Sequence, residues 1–420
     1  MPVTGLNART IPLTFVPLPV YPMDILIKNK VLATMAGLVA HNRAGLLEAN
    51  QQDLDAGNLD DLTLYDRLKI DDRKIGAMTQ SLEETLALPD PVGIEKYHYH
   101  HPQGMEIYNR SAPFGTILII YESRPDVTVE AAALAFKAGN KILLKGGKEA
   151  RNSNRFLVSL WHLALAECGL DPDHILYLDY TREQTFDLLK SSAGKIDLVV
   201  PRGGDQLIEM VKTHASAPVL VSGRGNNFIY VHDKADPAMA LEIILNSKLQ
   251  KISVCNATDK VLIDRQLPGL EAFSKQLAAA LVYEEVSLLA DQSLSGLGSL
   301  YPVQIPDQEN IWYEEFLARR ILLGTVSGLD EAVQKINKYS GGHTAVIITA
   351  DQEAAAGFME AVDAASVIHN ASSRFTDGGQ FGLGAELAIS TDKLHHRGPL
   401  GLNQLVTNKW YVYGNGQIRK

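Results

Sequence analysis

Cysteine is nearly absent from this chain: Cys168 and Cys255 are the only two among 420 residues. They lie far apart, and neither a CxxC pair nor a Cys/His spacing is present. That excludes a disulfide-stapled framework and a structural zinc, and it fits reduced thiols in a cytosolic protein. Long apolar runs are missing as well. No stretch approaches the roughly 20 apolar residues of a membrane span. The apolar opening, residues 1–27, is interrupted by Pro12, Pro17, Pro19 and Pro22, so it reads as an extended arm and not as a secretory leader. Positive charge is not in excess: the formal net charge is −10, which gives no support to nucleic-acid binding. Fixed-period repeats, low-complexity tracts and the GxGxxG dinucleotide fingerprint are all lacking. These absences together lead to the expectation of a soluble, cytoplasmic protein.

What is present is an ordinary globular mix, 46% hydrophobic and 21% charged, of a length that suits two or three domains. Apolar residues recur at helical spacing from about Asp24 to Asn50, through Leu32, Met35, Ala36, Val39, Leu46 and Leu47. A second helical stretch near Arg73 to Leu88 ends at "PDPVG". "YHYHH" and "MEIYNR", separated by a Pro/Gly turn, predict a hairpin. From Pro113 strands and helices alternate. "TILIIY", "KILLK", "HILYL", "IDLVV" and "PVLV" read as strands, with helices between them. A similar block runs from "FIYV" to about Ile368, with helices near Pro237–Leu249, Leu267–Tyr283 and Asp330–Tyr339. Such alternation means βαβ units, parallel sheets covered on both faces, and two lobes with a cleft. The closing "KWYVYGNGQIRK" is a strand that could pair with the early hairpin or with another subunit.

Four stretches invite a chemical reading. Cys255, in "SVCNATD", is on composition alone most readily a buried inert thiol. Its flanking Ser253, Asn256 and Thr258 are polar, however, the kind of setting that can stabilise a thiolate. "LLKGGKE" puts Lys145, Gly146, Gly147 and Lys148 where a strand exits into a helix. That suits phosphate or ribose, or equally a glycine turn with solvated lysines. "VVPRGGDQL" repeats the architecture with Arg202, Gly203 and Gly204, and turns on neighbouring strands of one sheet face the same edge. "SSRFTDGGQFGLGAE", residues 372–386, reads as an ordered loop closing on an anion, or as a linker, with Phe375 and Phe381 against the linker. The histidines of "YHYHH" and "KLHHR" lack carboxylate or cysteine ligands at suitable spacing, so no functional metal is expected.

Together with "DRL", "LPDPVG", "YESRPDVTVEAAALAFKAGN", "LKGGKEARNSN" and "HRGPLGL", these stretches resemble the gamma-glutamyl phosphate reductases, or glutamate-5-semialdehyde dehydrogenases, a branch of the aldehyde dehydrogenase superfamily. The resemblance covers most of the chain. It implies an aldehyde dehydrogenase-like α/β fold of two doubly wound domains with a small oligomerisation hairpin. An NADP-binding domain would span 1–232, interrupted by the hairpin at 95–112. A catalytic domain would span 233–368, and 369–420 would return with the substrate loop and an oligomerisation strand. Cys255 would attack the acyl phosphate of L-glutamyl 5-phosphate, NADPH would reduce the thioacyl enzyme, and glutamate 5-semialdehyde would leave. The Cys255 N–H and the Asn256 region would form the oxyanion site. Lys145 and Lys148 would meet the adenosine ribose and 2′-phosphate, the Arg202–Gly204 turn would lie along the cofactor, and Glu315 would hold the nicotinamide ribose. Arg124, Ser373, Arg374, Phe375, Thr376 and Gln380 would face the glutamyl and phosphate groups.

Hydrolytic relatives carry a water-activating glutamate where this chain reads "PVLVSGRGNN", which contains no carboxylate. A thioester there should persist until it is reduced. The chain departs from the resemblance at Lys251-Ile252, where Arg-Pro is usual, and at Asp126, where Asn is common. A dehydrogenase of another aldehyde or acyl phosphate, and a catalytically silent scaffold or regulator, are the alternative readings. A homo-oligomer is expected, as is supply of glutamyl phosphate by a separate glutamate 5-kinase through transient contact.

Overall fold

The computed structural model describes residues 23–57, 62–221 and 223–419. The proline-punctuated arm lies, up to residue 22, outside them. Its end is helical: the Asp24 carboxylate accepts the Leu26 N–H at 2.7 Å and starts α1 (Ile25–His41). The single apolar period read from Asp24 to Asn50 is two helices, α1 and α2 (Arg43–Ala56). They break at Asn42, whose side-chain amide donates back to the Leu38 carbonyl. α3 (Leu62–Leu68) and α4 (Asp72–Ala87) follow, and α4 stops before the two prolines.

Two compact units emerge. The first takes the described residues up to Val221, with Leu383–Ala388 and the chain from Leu400 onward. Its hairpin, β1 (Glu95–His100) and β2 (Glu106–Pro113), turns where Gly104 adopts φ +83°. The last strand, β16 (Val406–Tyr413), pairs antiparallel with β2 in a three-stranded sheet, so the closing segment finds the hairpin within its own chain. The main sheet of this unit is parallel. It contains β3 (Thr116–Tyr121), β4 (Lys141–Lys145), β5 (Ile175–Tyr177) and β6 (Leu198–Arg202) in the order β5-β4-β3-β6. α5 (Val127–Lys137), α6 (Arg151–Glu167), α7 (Arg182–Lys190) and α8 (Asp205–His214) connect and follow the strands. Side chains alternate along β3: Ile117 and Ile119 enter one apolar cluster, Leu118 and Ile120 the other. Both faces are therefore covered, and each such aliphatic side chain contributes roughly 1.5–3 kcal/mol by burial. "PVLV" is not a strand. It makes one bridge, Val219 with Val199, because Pro218 has no N–H to donate.

The second unit runs on to Gly382 and adds Ile389–Pro399. In chain order it contains β7 (Asn227–Val231), α9 (Pro237–Leu249), β8 (Thr258–Asp264), α10 (Leu270–Tyr283), β9 (Ser287–Ala290) and β10 (Val303–Gln304). These are followed by β11 (Arg320–Val326), α11 (Leu329–Tyr339), β12 (Thr344–Ile348), α12 (Gln352–Ala361) and β13 (Ser366–His369). Its seven parallel strands lie in the order β10-β9-β11-β8-β7-β12-β13. β14 (Ala388–Ser390) and β15 (Gly398–Leu400) make a two-stranded ribbon. Among the described residues no helix is long and apolar enough to cross a membrane.

Candidate active site

On the first unit, chemistry-bearing residues gather at the C-terminal edge of the parallel sheet. Ile120 pairs with Lys145 and Tyr121 with Arg202, so both glycine turns leave the sheet at the same edge. They are not on adjacent strands as the sequence reading had it: β3 lies between β4 and β6. Gly146 and Gly147 are bare for a reason. A Cβ at Gly146 would collide with the Asn154 side-chain amide, and one at Gly147 would sit 2.5 Å from Glu149 Oε2. Lys145 donates to the Gly146 carbonyl at 2.7 Å, and burial pulls its pKa below the usual lysine value.

Two carboxylates that the sequence reading missed already serve the helix starts here. Glu122, at the exit of β3, accepts the Gly204 N–H at 2.9 Å and lies against the bare Cα of Gly203. Asp53, on α2, accepts the Asn152 and Ser153 N–H groups at 2.9 and 2.8 Å and so fixes the start of α6. Those amides are occupied by the protein's own anions. The only sequence signals were an acidic residue directly after an apolar strand and another within a helical run. Arg124 is half exposed and pairs with Asp126 at 2.8 Å. Nearby Glu130 is pushed up to about 7 by burial and then by the Asp126 charge.

On the second unit, half-buried Cys255 sits in the turn between α9 and β8 and is not disulfide-bonded. Its position is imposed from three sides. Asn227, the first residue of β7, donates its amide to the Cys255 and Ala257 carbonyls at 2.6 and 2.8 Å and accepts the Thr344 N–H at 3.0 Å. Gly225 presses its bare Cα on the Cys255 backbone, where no Cβ would fit. Asn256 is buried and donates to the Thr376 carbonyl at 2.9 Å and, more weakly, to that of Arg374 at 3.5 Å. Its amide nitrogen thus holds the loop, while its Oδ1 is buried without a protein partner.

The 372–376 segment is stitched to the cysteine turn by hydroxyls. Ser373 is fully buried, donates to the Asn256 carbonyl at 2.7 Å, meets Thr258 at 3.0 Å, and takes its backbone alignment from Ser247. Thr376 accepts from Thr344 at 3.0 Å. Arg374 is aimed by its Nε–H on Gln250 Oε1 at 2.9 Å. Burial depresses its pKa, and the charge of an ionised Cys255 opposes that, so the two groups favour each other's ionised forms. Phe375 is half exposed, and Gln380 is exposed with its N–H on Asp377. Glu315 follows a short 3-10 turn, Glu309–Trp312, whose Trp312 carbonyl accepts from Asn226 at 2.6 Å. Of the histidines first weighed as metal ligands, His98 and His100 both bond to Glu106.

Residues 44–288 match the model of the aldehyde dehydrogenase family. A gamma-glutamyl phosphate reductase of Leptospira interrogans is 42% identical over 394 residues, 93% of either chain. One from Enterococcus faecalis is 41% identical over 399 residues, 94% of either chain. The crystal structure of the gamma-glutamyl phosphate reductase of Thermotoga maritima covers 95% of both chains with a TM-score of 0.89 at 36% identity. An acetylating aldehyde dehydrogenase from Geobacillus thermoglucosidasius, at 18% identity and a TM-score of 0.66, shares the fold over 95% of this chain and 94% of its own.

Proposed function

The chain belongs to the gamma-glutamyl phosphate reductases of the aldehyde dehydrogenase family, and from that premise we propose that it reduces L-glutamyl 5-phosphate to L-glutamate 5-semialdehyde with NADPH. The observation that carries this is Cys255, held by Asn227 and Gly225 within the electrostatic reach of Arg374. The thiolate adds to the C5 carbonyl, the tetrahedral adduct expels phosphate, and a thioacyl enzyme remains. Backbone N–H groups of the cysteine turn stabilise the oxyanion, while Asn256 keeps the 373–376 segment in register. No carboxylate lies between residues 218 and 227 to activate water at the thioester. A bound nicotinamide cofactor would supply hydride to the thioacyl carbon, and Cys255 would then leave as thiolate to release the aldehyde. The glycine cradle with Lys145 and Lys148 would hold the ribose and 2′-phosphate of such a group, and Glu315 would hold its nicotinamide ribose. Arg124, Arg374 and the exposed Phe375 and Gln380 would receive the glutamyl and phosphate groups.

The test runs the reaction backwards, because the acyl phosphate is labile. Protein, glutamate 5-semialdehyde, NADP⁺ and inorganic phosphate should give NADPH, with none from Cys255→Ala. Turnover that ignores phosphate would overturn the reading in favour of a hydrolytic dehydrogenase, and none from folded protein would favour a silent scaffold. Self-assembly we assign to the β1-β2-β16 sheet, with its exposed Tyr97, Tyr99 and Trp410; a purely monomeric sedimentation profile would refute it.

A further inference from the structure

Lys260 is an unusual residue for the inside of a sheet. It lies on β8, fully buried, where a lysine has to be paired or to lose its charge. Its ammonium donates to the Glu314 carbonyl at 2.7 Å and stands 3.7 Å from the centre of the Phe316 ring. Its neighbour Asp259 uses both carboxylate oxygens. Oδ1 takes the buried Lys248 ammonium at 2.7 Å, and Oδ2 takes the Phe316 N–H at 2.7 Å. The peptide groups on either side of Glu315 are therefore each pinned by a consecutive residue of β8, the carbonyl before it by Lys260 and the N–H after it by Asp259. β8 begins three residues after Cys255, so one strand start carries the nucleophile's turn and the hold on Glu315.

We propose that Lys260 is a positioning residue, which with Asp259 fixes the segment that presents Glu315 to the cofactor. The inference rests on the reading of Glu315 as a nicotinamide-ribose ligand. The charged groups facing Lys260 are Asp259, Lys248, Glu314 and Arg320; the Arg320 guanidinium lies over the same Phe316 ring and pairs with Glu314 at 3.5 Å. Burial outweighs the attraction of Asp259 and pushes the Lys260 pKa down to about 7. The hold is strongest while the ammonium keeps its proton, and it weakens as pH rises through neutrality.

NADPH affinity, measured by fluorescence titration on the native enzyme, Lys260→Met, Lys260→Arg, Glu315→Ala and the Met/Ala double variant, tests this. Residues acting through one another are non-additive, so Lys260→Met and Glu315→Ala should each weaken binding about tenfold and the double variant no further. Lys260→Arg should retain most of the affinity. Native Kd should rise between about pH 6 and 8.5, while the Arg variant, whose guanidinium does not titrate there, stays flat. Native-like binding by Glu315→Ala overturns the assignment of Glu315. Weakened binding there beside native-like binding by Lys260→Met overturns Lys260 alone, as do multiplicative losses in the double variant. If Lys260→Met does not fold, the two pH profiles decide, and an Arg variant that titrates like the native enzyme refutes the proposal.

Discussion

At the scale of single residues, Arg374 carries the sharpest consequence. Its guanidinium favours the ionised form of Cys255, and the thiolate is the reactive form. Arg374→Ala should slow labelling of Cys255 by a thiol reagent at neutral pH, and Arg374→Lys should recover part of the rate. Unchanged labelling in the alanine variant would show that the thiolate is stabilised elsewhere. Cys255, Lys145, Lys148, Arg202 and Arg374 were legible in the sequence because reactive and cationic side chains beside glycine are conspicuous. Glu122, Asp53, Asn227, Gln250 and Lys260 were not. Each acts on a backbone group or side chain remote in sequence, and a lone polar residue carries no mark of the partner it will find.

At the scale of elements, the turn from α9 into β8 is built around a close approach. A Cβ at Gly225 would overlap the Cys255 backbone, whose carbonyl is also held by the Asn227 amide. Gly225→Ala should therefore cost about 1–3 kcal/mol of stability through overpacking. It should cost activity more steeply, about a hundredfold, because a displacement near 1 Å at the nucleophile suffices. Urea denaturation and turnover on one preparation would separate the two losses; a stable variant with native turnover would show that the turn is not tightly set. The strands of the first parallel sheet, and β7 with three helices of the second unit, were readable from apolar runs and their Gly/Pro punctuation. The break at Asn42 and the loss of "PVLV" as a strand were not, since each depends on one side-chain amide or one missing N–H.

At the scale of the molecule, the buried lysine leaves a signature in stability. An unfolded chain holds the Lys260 proton up to the usual 10.5, the folded one only to about 7. Between those values the unfolded state binds more protons, so the folded state gains stability as pH rises, and the cost of the buried ammonium is fully felt below about 7. The difference in urea midpoint between pH 6.5 and 9 should accordingly be smaller in Lys260→Met than in the native protein; equal slopes would place the titration on another group. The first unit also has a peculiar chain order. Leu402, Leu405 and Val406 enter its apolar core, Asn140 bonds the Leu405 carbonyl at 2.9 Å, and β16 runs along the whole of β2. Domains usually close in the order in which they leave the ribosome. Here the unit whose first residues are synthesised early waits for the strand at 406–413, so a frameshift ahead of that strand would harm the beginning of the chain.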